Sequence, residues 1–277
     1  MKRRNIKAAF FDIDGTLVSF KTHKVPTSTV AAIRKLRHEG VKVFIATGRP
    51  LPFIRNLDEI EFDGIMATNG AYCVTQSGEI ICQYMVPKDD IRRMIESSRT
   101  NPIPVLFASN ERAILCNSQT IERQVEEVFR LLDIPLPEKR PIEDALDMDV
   151  MQVIAFFKEE AEGHIMGEIL QGCTAERWHP NFADCIYKGK NKATGIEEIC
   201  RHYGFTRNDV IAFGDGGNDI SMLQYAGLGI AMGNANQDVK KAADIVTASV
   251  DEDGIAIIVD KLIGEHQDIE DITTQPR

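Results

Sequence analysis

The sequence has no apolar run that approaches the roughly 20 residues of a membrane-spanning helix. Its first apolar stretch ends at Asp12 and Asp14, is too short for the apolar region of a signal peptide, and has no small-residue cleavage site after it. A buried first strand over residues 6–11 explains this stretch better. We therefore expect a cytoplasmic protein.

Paired cysteines are also lacking. The six cysteines are scattered, none forms a CxxC pair, and the six histidines do not cluster near them at spacings suited to zinc. We expect reduced and mostly buried thiols.

An excess of basic residues is the third absence, since the formal net charge is −10. Duplex nucleic acid and anionic membranes need a basic footprint, so neither is an expected partner. An anionic small molecule would need a bound cation, or a few Lys and Arg side chains, to overcome the overall negative field. We expect a monomer or a weak homo-oligomer.

The residues that are present are typical of a soluble globular chain, with 43% hydrophobic and 27% charged residues. Apolar runs at 6–11 and 41–46 and a short one at 65–67 indicate buried strands, and apolar spacing at 27–39 indicates a helix between the first two. This order predicts an α/β fold with a doubly wound, Rossmann-like parallel sheet.

The middle of the chain has a different pattern. Strands and helices there are separated by several prolines, including a helix predicted at 119–132 and another at 161–170. Strand–helix alternation returns after residue 190, and the polar residues 265–277 are expected to fray. We predict a core formed by residues 1–84 and 188–277, with an α+β domain at 85–187 inserted into it.

The strongest local pattern is Asp12-Ile13-Asp14-Gly15-Thr16, directly after the first strand. Ligands bind beyond the carboxyl ends of parallel strands, so both carboxylates could face one cavity. With Mg²⁺ between them, one could stay ionised as nucleophile and metal ligand, and the other could act as general acid and base. The alternative is a pair of turn residues beside Gly15.

Three further segments have polar residues just after a predicted strand or at the start of a predicted helix. Asp215, Asn218 and Asp219 lie in a glycine-rich loop after a predicted strand, where they could approach a ligand or cap the next helix. This loop is not a dinucleotide fingerprint, because Asp219 stands where a third glycine is needed.

The remaining two segments indicate a functional site less strongly when each is taken alone. The hydroxyl of Thr47 and the N–H groups at Gly48 and Arg49 could hold phosphate oxygens, or form an ordinary turn. Lys192 could hold a nucleophilic carboxylate and offset phosphate charge, although three lysines within residues 188–192 often mark a solvated loop.

The four segments together resemble the haloacid dehalogenase (HAD) superfamily of phosphohydrolases. Asp12 and Asp14, Thr47, Lys192, and Asp215 with Asp219 match its four motifs in order, and Asn218 stands in the expected place. The insertion between the second and third motifs, together with FFDIDGTLVSF, FIATGRP, TNGAY and AFGDGGNDISML, resembles the type IIB cap and the Cof-like branch, which includes bacterial sugar phosphatases.

The resemblance implies an Mg²⁺-dependent phosphatase acting on hexose or other sugar phosphates. It implies that Asp12 attacks phosphorus and that Asp14 is the acid and base. It further implies that substrate is bound by the residues Thr47, Gly48, Arg49, Lys192 and Asn218. The implied metal-binding residues are Asp12, Asp14 through its main-chain carbonyl, Asp215 and Asp219. Arg49, Asn69, Trp178 and its neighbours Arg177 and His179 are candidates for substrate specificity, with Trp178 alternatively part of the cap core.

Three alternatives stay open. A glycosyltransferase with a DxD motif would use the aspartates to bind a cation and a nucleotide diphosphate, but it leaves Lys192 and the second acidic loop unexplained. A receiver-like phospho-switch would need neither an acid at Asp14 nor an inserted domain. A phosphomutase on the same fold would transfer the phosphoryl group to another hydroxyl.

Overall fold

Two β-sheets organise the protein, one of eight strands and one of six. The computed structural model describes residues 6–57, 59–118 and 122–263, but not the side chains of residues 122, 124 and 178. The frayed tail predicted at 265–277 and the first three residues of the helix predicted at 119–132 lie outside the described residues, as does the side chain of Trp178.

The eight-stranded sheet begins with five strands from the first part of the chain. The elements are β1 (Ala8–Phe11), α1 (Thr27–His38), β2 (Lys42–Ala46), β3 (Gly64–Ala67), β4 (Tyr72–Thr75) and β5 (Ile80–Gln83). β1, β2 and β3 are parallel, whereas β4 and β5 extend the sheet as an antiparallel hairpin. β4 was not among the predicted strands, because it has only four residues and follows the turn at Asn69 closely.

The six-stranded sheet and its helices come from the described residues between 85 and 187. Its elements are α2 (Lys88–Ser98), β6 (Val105–Ala108), β7 (Ala113–Cys116), α3 (Glu122–Leu131), β8 (Glu138–Lys139), β9 (Gln152–Ala155), α4 (Glu162–His164), β10 (Cys173–His179) and β11 (Phe182–Tyr187). The strand order is β10-β11-β9-β6-β7-β8. In place of the α-helix predicted at 161–170, the short α4 continues as a π-helix over Ile165–Ile169. Gly163 and Gly167 lower the α-helical propensity of this segment, because glycine loses more backbone freedom in a helix than other residues do.

The last third of the chain returns to the first sheet. It forms α5 (Lys192–Tyr203), β12 (Val210–Gly214), α6 (Ile220–Tyr225), β13 (Leu228–Ala231), α7 (Gln237–Ala242), β14 (Ile245–Val246) and α8 (Gly254–Ile263). The sheet order is β14-β13-β12-β1-β2-β3-β4-β5. Strand order therefore reverses on either side of β1, which opens a crevice at the carboxyl ends of β1, β2 and β12. The predicted fold class is confirmed; the domain limits at 84/85 and 187/188 stay a prediction.

Burial on both faces explains the continuous apolar run of β1. Phe10 packs with Phe44 on the face covered by α5 and α6, while Phe11 packs with Phe213 on the face covered by α1 and α8. A parallel sheet that is covered on both faces requires this composition.

The six-stranded sheet also has two covered faces. One packs on α2, and the other packs on α3 and receives Phe53 from the core, whose ring meets that of Phe129 edge-on at 5.6 Å between centroids. The insertion is thereby seated over the carboxyl ends of the core strands.

The structure also describes the helices' apolar lengths and the surroundings of the cysteines. Among the described residues, no helix is both long and apolar enough to cross a membrane. All six cysteines are buried and free, in agreement with the expected thiols.

Candidate active site

Asp12 stands at the first position after β1, in the crevice where strand order reverses. Its backbone N–H donates to the carbonyl of Phe213 at 3.1 Å, which prolongs the pairing of β1 with β12. The chain then turns at Gly15, whose φ of +84° favours glycine. A Cβ atom on Gly15 would lie 2.2 Å from Oδ2 of Asp215. The glycine therefore allows the first and last acidic segments to meet.

Lys192 forms hydrogen bonds with two of the aspartates. It is the first residue of α5, whose N-cap Asn191 accepts a hydrogen bond from the backbone of Thr194. Its fully buried Nζ donates to Oδ1 of Asp12 at 2.6 Å and to Oδ1 of Asp219 at 2.5 Å. The helix start thus delivers one cation to two carboxylates.

The buried charges shift one another's pKa values. Burial raises the pKa of Asp12 to about 7, with Lys192 opposing the rise and Asp219 adding to it. Burial alone would disfavour the ammonium of Lys192, but Asp12 and Asp219 raise its pKa above the ordinary value. Lys192 is therefore held as a cation within the cluster.

The loop after β12 holds the other two acids. Oδ2 of Asp219 accepts from the backbone N–H groups of Asp215 and Gly216 at 2.9 and 2.8 Å. Asp215 accepts from the hydroxyl of Thr16 at 2.8 Å and from the amide of Asn234 at 3.0 Å. Burial, together with Asp12 and Asp219, raises the pKa of Asp215 well above its ordinary value. The protein alone leaves excess negative charge here.

This excess charge fits a divalent cation. Asp12, Asp215 and Asp219 each offer a carboxylate oxygen, and these three atoms lie within 4.8 Å of one another. Oxygen donors of this kind suit Mg²⁺. Among the described residues, the carboxylate of Asp14 is not part of this group.

Asp14 instead forms a bidentate salt bridge with Arg49. Nε and Nη2 of Arg49 donate to the two carboxylate oxygens of Asp14 at 2.8 and 2.6 Å. Arg49 also donates to the carbonyls of Phe53 and Leu132, each at 3.0 Å. In the structure, Arg49 therefore contacts protein atoms and connects the core to the end of α3 in the insertion. Its predicted role in binding substrate stays a prediction.

The loops after β2 and β3 complete the polar side of the site. The hydroxyl of Thr47 accepts from the backbone N–H of Arg49 at 3.0 Å. Gly48 lies beside two amides, Asn69 and Asn218, which are joined by a hydrogen bond of 2.9 Å. A Cβ atom on Gly48 would lie 3.1 Å from Oδ1 of Asn69, so a larger residue here would require that amide to shift.

The predicted residues converge on one cavity of about 270 Å³. It is lined by Asp12, Asp14, Thr47, Gly48, Arg49, Asp215 and Asn218 from the core. Lys192 and Asp219 lie beneath Asp12 and are fully buried. Asn69 contacts the insertion, since its amide donates to Asp184 at 3.3 Å.

Sequence reasoning missed several members of this arrangement. Thr16 was within the first motif but had no assigned role, and Asn234 follows β13, where its position after a strand could have identified it. Asp184 carries no motif, because it lies inside a strand of the insertion. Arg177, a specificity candidate, instead donates to Glu162 and to backbone carbonyls within the insertion.

Comparison with known proteins agrees with this geometry. The haloacid dehalogenase-like hydrolase family matches residues 9–259. The protein YkrA of Bacillus subtilis, provisionally named a phosphatase, is 32% identical over 263 residues, which cover 92% of this chain and 97% of YkrA. YitU of the same organism, named a 5-amino-6-(5-phospho-D-ribitylamino)uracil phosphatase, is 28% identical, with 88% of this chain and 93% of YitU covered.

Solved structures are similar as well. The HAD subclass IIB sugar phosphatase BT4131 is 40% identical with a TM-score of 0.83, covering 91% of this chain and 97% of its own. BT1666, a phosphatase of Bacteroides thetaiotaomicron, is 37% identical with a TM-score of 0.85, covering 94% and 96%. The chain therefore belongs to the haloacid dehalogenase-like hydrolases and is one of their phosphatases.

Proposed function

We propose that the protein is an Mg²⁺-dependent phosphatase that hydrolyses small phosphorylated metabolites, sugar phosphates among them, through an aspartyl phosphate on Asp12. The observation that carries the proposal is the pairing of Asp12 with Lys192 beside two further carboxylates. The likeness to the sugar phosphatase BT4131 supports sugar phosphates, whereas YitU is named for a substrate that also contains a uracil ring. The free thiols favour a reducing compartment such as the cytoplasm.

The metal would be held by Asp12, Asp215 and Asp219, with the main-chain carbonyl of Asp14 as a further ligand. Bound Mg²⁺ would supply charge neutralisation between carboxylate and phosphate. Asp219 already accepts from Lys192 and from two backbone N–H groups, so its larger contribution is to position that lysine and the loop.

The chain's own residues account for two chemical steps. In the first, Oδ2 of Asp12 forms a bond to phosphorus while the ester bond breaks, and Asp14 donates its proton to the leaving alkoxide. In the second, Asp14 takes a proton from water, which attacks phosphorus, releases inorganic phosphate and restores Asp12. Lys192 holds Oδ1 of Asp12, Arg49 orients Asp14, and Thr47, Gly48 and Asn218 bind the phosphate oxygens.

Rapid acid quenching during turnover tests the proposal. Peptide mass spectrometry should find one added phosphoryl group on Asp12, and inorganic phosphate should appear with the alcohol in equal amounts. Phosphate transferred to a second hydroxyl without release would instead indicate a phosphomutase. A phosphoryl group on another residue would contradict the assignment of Asp12.

A further inference from the structure

The cavity above Asp12 has a polar floor and an apolar wall. The floor is formed by Asp12, Asp14, Thr47 and Asp215, with Lys192 beneath them. The wall comes from the insertion and includes Phe129, Leu132, Ile154, Phe156 and Phe182. The rings of Phe156 and Phe182 are 5.5 Å apart between centroids, and both side chains are buried. A leaving group attached to a phosphate on the floor would therefore lie against aromatic and aliphatic carbon.

The wall has one acidic edge. Asp184, which is 3% exposed, lines the cavity, and its strand pairs it with Ile154 on one side and with Glu176 on the other. Residues directly opposite each other in an antiparallel sheet share a face, so Glu176 stands on the same face as Asp184. Burial raises the pKa of Glu176. Asp184 is the acid that reaches the cavity at this edge of the apolar wall, and it favours a ligand that offers a hydrogen-bond donor there.

This distribution of polar groups suits a hexose poorly. A hexose phosphate carries hydroxyls around its whole ring, and those that face the apolar wall would lose water without gaining a partner. Each such hydroxyl lowers the affinity for the transition state by about tenfold. A flat ring gains contact with the same wall through apolar burial and edge-to-face packing.

We infer, on the basis of the proposed function, that the preferred substrate is a phosphate monoester whose leaving group is a flat apolar ring with a hydrogen-bond donor on one edge. The ring lies against Phe156 and Phe182, and the donor is directed at Asp184. A carboxylate has about four acceptor positions, so Asp184 can accept this donor while keeping its present partners, Asn69 among them.

Matched primary esters test the inference. Benzyl phosphate, 3-hydroxybenzyl phosphate and glucose 6-phosphate all release a primary alkoxide, so differences in kcat/KM report the cavity rather than the leaving-group chemistry. We expect kcat/KM for benzyl phosphate to exceed that for glucose 6-phosphate by about tenfold or more. The 3-hydroxy group should raise it by about a further tenfold.

Two variants assign these effects to residues. Asp184→Leu should bring the ratio of 3-hydroxybenzyl to benzyl phosphate close to one. Phe182→Leu should lower the ratio of benzyl to glucose 6-phosphate by about fivefold. Asp149→Leu, which replaces an exposed carboxylate of the insertion, is the matched control and should change neither ratio. The wild-type panel keeps the inference testable if a variant does not fold.

The outcomes separate the inference from the proposed function. Equal or faster turnover of glucose 6-phosphate would overturn the inference and leave the phosphatase mechanism in place. An unchanged hydroxybenzyl ratio in folded Asp184→Leu would remove Asp184 from substrate selection. Absence of turnover and of phosphoryl-Asp12 with every ester would instead contradict the proposed function itself.

Discussion

The floor and the wall of the cavity are built in different ways. Floor residues follow directly after β1, β2 and β12 or begin α5, and charged hydrogen bonds connect them. Wall residues lie in or beside α3, β9 and β11 and pack through carbon. Strand ends of a parallel sheet are held by the whole core, so they suit chemistry that needs fixed distances. Apolar side chains of the wall that face the leaving group make no hydrogen bond to the floor, so they can change with little effect on that chemistry.

The largest effect on the chemistry of the floor is expected from removing the nucleophile. Asp12→Ala should lower kcat by at least about 10⁴-fold with every ester, because no aspartyl phosphate can form. Phosphate release and thermal unfolding measure activity and folding in parallel, and Asp238→Ala on exposed α7 serves as the control. Turnover that persists in a folded Asp12→Ala protein would refute the assignment.

Lys192→Met should weaken both the chemistry and the fold. The substitution leaves Asp12 and Asp219 buried without their shared cation, which destabilises a protein by about 3–5 kcal/mol. Urea unfolding measures this loss, and Lys241→Met, at an exposed site, should leave the free energy of unfolding unchanged within about 0.5 kcal/mol. A wild-type free energy of unfolding for Lys192→Met would show that the lysine does not hold the floor together.

The acid role of Asp14 depends on the leaving group. Asp14→Asn should lower kcat/KM by about 10²–10⁴-fold with alkyl phosphates, which need a proton on departure. The loss with aryl phosphates should be smaller, since phenolates leave without one. Steady-state kinetics on benzyl and phenyl phosphate provide the comparison. Equal losses would argue that Asp14 only positions Arg49.

The smallest predicted effect is a change in the melting temperature of the protein without bound metal. Asp215→Asn removes one of three carboxylates that lie within 4.8 Å of one another. Without metal, it should therefore raise the melting temperature by about 2–4 °C, which corresponds to about 1 kcal/mol. Mg²⁺ should stabilise the wild type and have little effect on the variant. Calorimetry with and without a chelator measures both shifts, and an equal Mg²⁺ response would exclude Asp215 as a ligand.

The floor could be predicted from sequence because its residues obey a local rule. A buried apolar run followed by Asp12 and Asp14, or by Asp215 and Asp219, predicts both the strand and the functional end of that strand. The same rule did not identify β4, because a four-residue strand after a tight turn has too little apolar pattern. It did not identify Asp184 either, because this residue lies within a strand and not after its end.

The sequence by itself determined the order of the core elements and the chemical groups at the crevice, since apolar period and strand-end position are local properties. Only the tertiary structure decided that Arg49 pairs with Asp14 and the carbonyl of Leu132, and that Lys192 lies between Asp12 and Asp219. It alone placed Phe156, Phe182 and Asp184 opposite the floor. These contacts join residues far apart in the chain. The assembly of the core sheet and the packing of the insertion on the core bring them together, rather than any local pattern.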